Sequence, residues 1–158
     1  MTNEKFSSFE RELAEHGRLI YTNVGVSMMP LIREGKDVMM IEACKEPPKK
    51  LDVVLFVRPH VQGRGHYVVH RILKVRRDGT YFIAGDHDTS GEIVPSECIL
   101  GILTSLVRDG KPYAFKGFRH WCYLHLRCAP YHARFFVLKA VRGTRQFLRA
   151  VKYKLTGK

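Results

Sequence analysis

The stretch "GVSMMPLIREGKDVMM", residues 25–40, sets Ser27 two positions after a glycine and directly before Met28, Met29 and Pro30. A serine hydroxyl is a weak nucleophile until a base takes its proton, so Ser27 acquires chemical meaning only with a partner. The partner candidates lie in "YVVHRILKV", where alternation along a strand puts Val68, His70, Ile72 and Lys74 on one face. An imidazole is thereby set in the middle of an apolar strand, where a charged or wet group is costly. A satisfied core histidine has the same appearance. A third group could orient the ring: "YFIAGDHDTSGEIVP" runs through Asp86, Asp88 and Glu92, although Gly and Asp in such a loop are also ordinary turn formers. Lys74 is a second candidate base because it shares the face of His70, but it lies toward "RRDG", where solvation is expected, and His70 is preferred.

These residues need elements to hold them. "RLIYTNV", "DVMMIEA", "DVVLFVRP", "HYVVHRILKVRR", "TYFIAGD" and "CILGILTSLVR" read as strands, rich in β-branched and aromatic residues and cut by Gly, Pro and Asp turns. Before them, Ser7 and Glu10 form a candidate capping box and Phe6, Phe9 and Leu13 recur at helical spacing, which predicts a short amphipathic helix over 4–16, closed by Gly17. After Pro112 the pattern changes. A helix over 133–155 would align Val137, Val141, Thr144, Leu148, Val151 and Leu155 on one face, with Arg142, Arg145, Arg149 and Lys152 as a stripe beside it; Gly143 weakens it locally, by about 1 kcal/mol relative to alanine. The expected organisation is an N-terminal helix (1–17), a mainly β antiparallel domain (18–113) and a basic helical tail (114–158).

Composition bounds the partners. With 158 residues, 45% of them hydrophobic, the chain can bury one core. No apolar run approaches the roughly 18–20 residues of a membrane span, and the first residues lack the layout of a signal peptide, so a cytoplasmic protein is expected. The four cysteines, at 44, 98, 122 and 128, show no disulfide framework and are expected to be free thiols. Residues 1–110 hold 15 Lys/Arg against 15 Asp/Glu, while 111–158 hold 12 Lys/Arg and no acid, so these last 48 residues carry the whole formal charge of +12. Such a tail calls for a negatively charged partner. The candidates are an anionic membrane surface, met peripherally by the basic helix with Trp121 and aliphatic residues at the interface, an acidic leader peptide and, ranked lower, nucleic acid. "HWCYLHLRCAPYH" groups His120, Cys122, His125, Cys128 and His132, but the spacing is not that of a zinc knuckle. Aromatic packing of the tail against the β domain explains the segment, and no metal or cofactor is expected.

Taken together, "GVSMMPLIREGKDVMMIE", "DVVLF", "YVVHRIL" and "FIAGDHDTSGE" resemble, in order and approximate separation, the successive boxes of the type I signal peptidases and their relatives, the self-cleaving SOS and phage repressors. The resemblance covers residues 20–106. The bacterial enzymes have a lysine base followed by arginine in the third box; His70–Arg71 here is the pattern of the endoplasmic reticulum and archaeal signal peptidases, which use Ser and His. The resemblance implies a signal-peptidase-like β fold and a serine endopeptidase without cofactor that cleaves a leader or precursor peptide. It makes Ser27 the nucleophile, His70 the general base and Asp86 the third member, with Glu92, six positions on, and Asp88 as further candidates. It also implies an oxyanion site at the Ser27 N–H, close backbone approach at Gly25 and a substrate wall shaped by Met28 and Pro30. The alternative is a catalytically silent member that keeps the fold as a binding module for anionic lipid or nucleic acid.

Overall fold

The structure is a computed structural model that describes residues 7–22, 24–58, 61 and 66–156. Among them, eight strands form one antiparallel sheet: β1 (Arg18–Thr22), β2 (Val38–Ala43), β3 (Val53–Val57), β4 (Tyr67–Val75), β5 (Tyr81–Ala84), β6 (Glu92–Val94), β7 (Ile99–Arg108) and β8 (Lys111–Pro112). The strand order is β1-β2-β7-β3-β4-β5-β6, with β8 paired to β7. The six expected strands are present, and β6 and β8 add to them.

The continuous apolar run of β3 follows from its central place, since a strand covered on both faces has no polar side to show. Val53 and Leu55 join a core with Met28, Ile32, Met39, Ile41, Val69 and Leu106. Val54 and Phe56 point the other way, into a second core with Ile72, Tyr81, Ile83 and Val94. β4 lies beside β3 and is buried from Val69 to Leu73, which takes His70 and Arg71 inside with it.

Register then assigns each polar side chain of β4 to a face. Val54 stands opposite His70, Ile72 opposite Ile83 and Ile83 opposite Glu92, so His70 and Glu92 share the face of the second core. Arg71 stands opposite Ala84 and faces the other way. A bulge between Ile72 and Lys74 then brings Lys74 opposite Phe82. One extra residue inverts alternation, so Lys74 does not share the face of His70 as simple alternation suggests; it is exposed on the opposite one.

α1 (Ser7–His16) puts Leu13 into the first core and sets Phe9 against Tyr21 and Tyr67, with ring centroids 5.1 and 5.0 Å apart. Residues 4–6 of the expected helix, and the Ser7 side chain of the expected capping box, lie outside what is described. The tail is helical: α2 (Phe118–Cys122), a π-helical turn (Tyr123–Cys128) and α3 (Tyr131–Thr156), which continues through Gly143. Tyr113, Phe115 and Tyr123 pack against the first core, as aromatic docking of the tail requires. Phe118, Trp121, Leu126, Phe136, Val137 and Val141 stay exposed. The predicted apolar face of α3 is thus uncovered at Val137 and Val141, and Arg145 is exposed too; the side chains of Arg142, Leu148, Arg149, Val151, Lys152 and Leu155 lie outside the description. Among the described residues no helix is long and apolar enough to cross a membrane.

Candidate active site

Ser27 is half-buried on a turn held from both sides. Directly after it, the turn sends Met28 inward to full burial, followed by Leu31 and Ile32; each such side chain is worth about 1.5–3 kcal/mol of burial. The Met29–Pro30 peptide is cis. The connection to β2 closes on Asp37, whose fully buried carboxylate accepts the Arg33 N–H and Nε, both at 2.9 Å, and Arg108 Nη2 at 2.7 Å. Arg108 also donates to Leu31 O at 2.7 Å. Burial pushes the Asp37 carboxyl up, but the bonds from Arg108 and Arg33 outweigh it and hold the pKa at about 2.

On the other side of Ser27 the contact is with the loop after β5. His87 N–H donates to Ser27 O at 2.7 Å. A Cβ at Gly85 would lie 2.6 Å from that same carbonyl and 2.9 Å from Ser27 Cβ, so only glycine lets the two segments meet. Close approach had been expected at Gly25. There a Cβ would meet nothing within 4 Å, and glycine serves instead for its φ of +112°; its N–H donates to Glu34 Oε1 at 2.7 Å.

From this turn the Ser27 Oγ stands 3.0 Å from His70 Nε2, a hydrogen bond between residues 43 positions apart. The imidazole is 6% exposed and lies beside the Phe56 ring, centroid to centroid 6.0 Å. Burial disfavours its charged form and sets its pKa below the ordinary 6.5, even though Asp88 and Glu92 pull the other way. Nδ1 is buried without a hydrogen-bond partner. The carboxylate facing it is that of Glu92, with Oε1 at 3.9 Å. Glu92 is in turn gripped by Arg58, whose Nε donates to Oε2 at 2.8 Å and whose Nη2 donates to Oε1. Asp88 lies on the serine side of the ring: its Oδ2 is 3.5 Å from His70 Nε2 and accepts the Gly85 N–H at 3.2 Å.

Asp86 is placed elsewhere. It continues the face of Ala84, which stands opposite Arg71, and Arg71 donates Nε and Nη2 to its two oxygens at 2.8 and 2.7 Å. Tyr123 Oη donates to Oδ2 at 2.6 Å, and Cys128 Sγ lies 3.6 Å from Oδ1. Burial pushes the Asp86 carboxyl up, but Arg71, Tyr123 and Arg134 together outweigh it and set the pKa below the ordinary value, so the carboxylate stays charged while fully buried. The expectation that Asp86 orients His70 is therefore replaced by a buried ion pair, because register aims it at the neighbouring residue of β4.

The substrate-wall expectation also changes. Met28 is fully buried and is an anchor of the turn rather than a surface, while Pro30 is exposed. The exposed apolar side chains next to Ser27 in the chain are Val24, Val26 and Met29, 78%, 50% and 38% exposed. Arg58, Tyr123 and Arg134 were not singled out in the sequence as parts of the site. All four cysteines are free thiols, and among the described residues no group of three or more His, Cys, Asp or Glu is arranged to hold a metal ion. No family model matches the chain, and neither the curated proteins nor the solved structures include a significant match.

Proposed function

We propose that the protein is a serine peptidase in which His70 is the general base for Ser27. The observation that carries this reading is the 3.0 Å contact from Ser27 Oγ to a buried imidazole whose depressed pKa keeps it neutral and ready to accept a proton. The resemblance of the Ser27, His70 and Gly85–Asp86 segments to the boxes of the signal peptidases supports peptide-bond hydrolysis in a leader or precursor, and with it a signal-peptidase-like fold.

In this mechanism Ser27 Oγ attacks the scissile carbonyl and passes its proton to His70 Nε2. The Ser27 N–H, for which no acceptor stands among the described residues, meets the developing oxyanion. The imidazolium is stabilised from both edges, by Asp88 near Nε2 and by Glu92 near Nδ1. Glu92, fixed by Arg58, thus takes the orienting role. His70 then returns its proton to the leaving amine, and water, activated by the same imidazole, hydrolyses the acyl-enzyme. An extended substrate would bond through its backbone to a sheet edge, of which β1 leads straight into the Ser27 turn, and Val24, Val26 and Met29 would receive its small apolar side chains.

The tail supports a second element of the reading, association with an anionic lipid surface. Its charge is all of one sign, and Trp121, Phe136, Val137 and Val141 are exposed beside it. Digestion of a mixed library of extended peptides, with products read by mass spectrometry, tests the activity: cleavage is expected from the wild type and not from Ser27→Ala. Salt-sensitive binding to anionic vesicles, with no cleavage of any peptide, would leave only the binding-module reading.

A further inference from the structure

Three polar groups of the tail converge on the loop that touches Ser27. Tyr123 Oη donates to Asp86 Oδ2 at 2.6 Å, Arg134 Nη2 donates to Gly85 O at 3.3 Å with Nη1 3.8 Å from Asp86 Oδ1, and Cys128 Sγ approaches Oδ1 at 3.6 Å. Tyr123 and Cys128 reach one carboxylate because they bound a π-helical turn. Where hydrogen bonds span five residues, as Ala129 N–H to Leu124 O does at 2.7 Å, the wider turn leaves side chains five apart nearer to one side of the helix; in an α-helix they would diverge by about 140°.

Neutralising Asp86 does not require these groups, because Arg71 already meets both oxygens with bidentate geometry. What they add is position. Each oxygen now has a second neighbour from the tail, and the Gly85 carbonyl is held by Arg134. The same loop is tied internally, Asp88 N–H to Gly85 O at 3.1 Å, and at its far side His87 N–H holds Ser27 O at 2.7 Å. Hydrogen bonds thus tie the tail to residues 85–86, and the backbone of the same short loop carries the His87 N–H that holds Ser27 O. A buried tyrosine hydroxyl costs free energy unless it is paired, so phenylalanine would pack as well were contact area the only requirement at 123.

We infer that the C-terminal segment 118–134 is a positioning element of the Ser27 site, with Tyr123 and Arg134 as positioning residues acting through Asp86 and the 85–88 loop. The catalytic consequence rests on the peptidase reading; the mechanical one does not. Detachment of the tail would therefore loosen the serine.

The test uses the full chain as wild type, Tyr123→Phe, Arg134→Gln and, as a control for loss of a comparable bond far from the site, Thr80→Ala, which removes the Thr80–Asp78 turn contact. Amide hydrogen exchange at His87 reads the contact to Ser27, and the rate of phosphonylation of Ser27 by a fluorophosphonate reads its consequence. Exchange at His87 about tenfold faster in either tail variant, with phosphonylation slowed by a similar factor and Thr80→Ala unaffected, is expected for loss of a bond to a charged group. Unchanged His87 exchange in both folded tail variants, or equal acceleration in Thr80→Ala, would overturn the inference. A wild type that is never phosphonylated would defeat the peptidase reading while His87 exchange still decides the coupling.

Discussion

Two carboxylate–arginine pairs flank His70, Asp86 with Arg71 and Glu92 with Arg58, and they differ in burial and in what surrounds them. Asp86 and Arg71 are both buried and stand on the face of β4 opposite to the imidazole, with Tyr123 and Cys128 completing the carboxylate's neighbours. Glu92 and Arg58 are each about a third exposed at the side chain and stand on the imidazole's own face, near an Nδ1 that has no other partner. A buried pair whose acceptors are all occupied has nothing left to offer a reacting ring, so its contribution is to structure. A partly exposed pair beside an unpartnered nitrogen can follow the proton. The difference between the two acids comes from strand register rather than from residue type.

That contrast can be broken experimentally. Asp86→Asn leaves the buried Arg71 guanidinium without its counter-charge, and a loss of about 3–5 kcal/mol of unfolding free energy is expected in denaturant titration. Glu92→Gln should leave stability nearly intact and lower kcat instead, by roughly 10²-fold, the lower end of what a positioned acid–base partner supplies. If the two variants exchanged these phenotypes, the assignment of roles would be wrong.

Smaller effects sharpen the same point. Because burial depresses the His70 pKa, the ring is neutral in the folded chain down to a pH below 6.5. Between its folded-state pKa and 6.5 the unfolded chain binds a proton that the folded chain does not, so stability is expected to fall as pH drops through this window, and the acid limb of the proposed activity is expected to have its midpoint below 6.5. Glu92 raises that pKa; a pH–rate profile of Glu92→Gln should therefore show the acid limb moved to still lower pH. A shift upward would mean that Glu92 does not act on the imidazole. Last, Lys74→Ala, an exposed change beyond the bulge, should alter stability by less than about 0.5 kcal/mol and leave turnover unchanged; loss of turnover would reinstate Lys74 as the base.

Much of this arrangement is written in local residue patterns. Long strands rich in Val, Ile and aromatic residues declare themselves; the pairing of Ser27 with His70 does not, because a satisfied core histidine has the same appearance, and it comes from the resemblance of four successive segments to the signal peptidase boxes. β6 and β8, of three and two residues, are too short to carry a periodic signal. The bulge at Leu73 is equally invisible in composition, and it alone moves Lys74 to the other face. Choosing Glu92 over Asp86 needed the pairing of β4, β5 and β6, a long-range property that no single segment encodes. Arg58 was within reach of alternation, since Val54 and Phe56 precede it on one face in "DVVLFVRP". Tyr123 and Cys128 were not, because an α-helical period separates the side chains that a π-helical turn brings together.

The central claim is that His70 activates Ser27, and intact-protein mass spectrometry after exposure to a fluorophosphonate tests it most directly. A single adduct mapping to Ser27 is expected, forming more slowly as pH falls below 6.5 and absent from both Ser27→Ala and His70→Ala. An adduct that persists without the imidazole, or a wild-type serine that stays unmodified at every pH where the chain is folded, would contradict it.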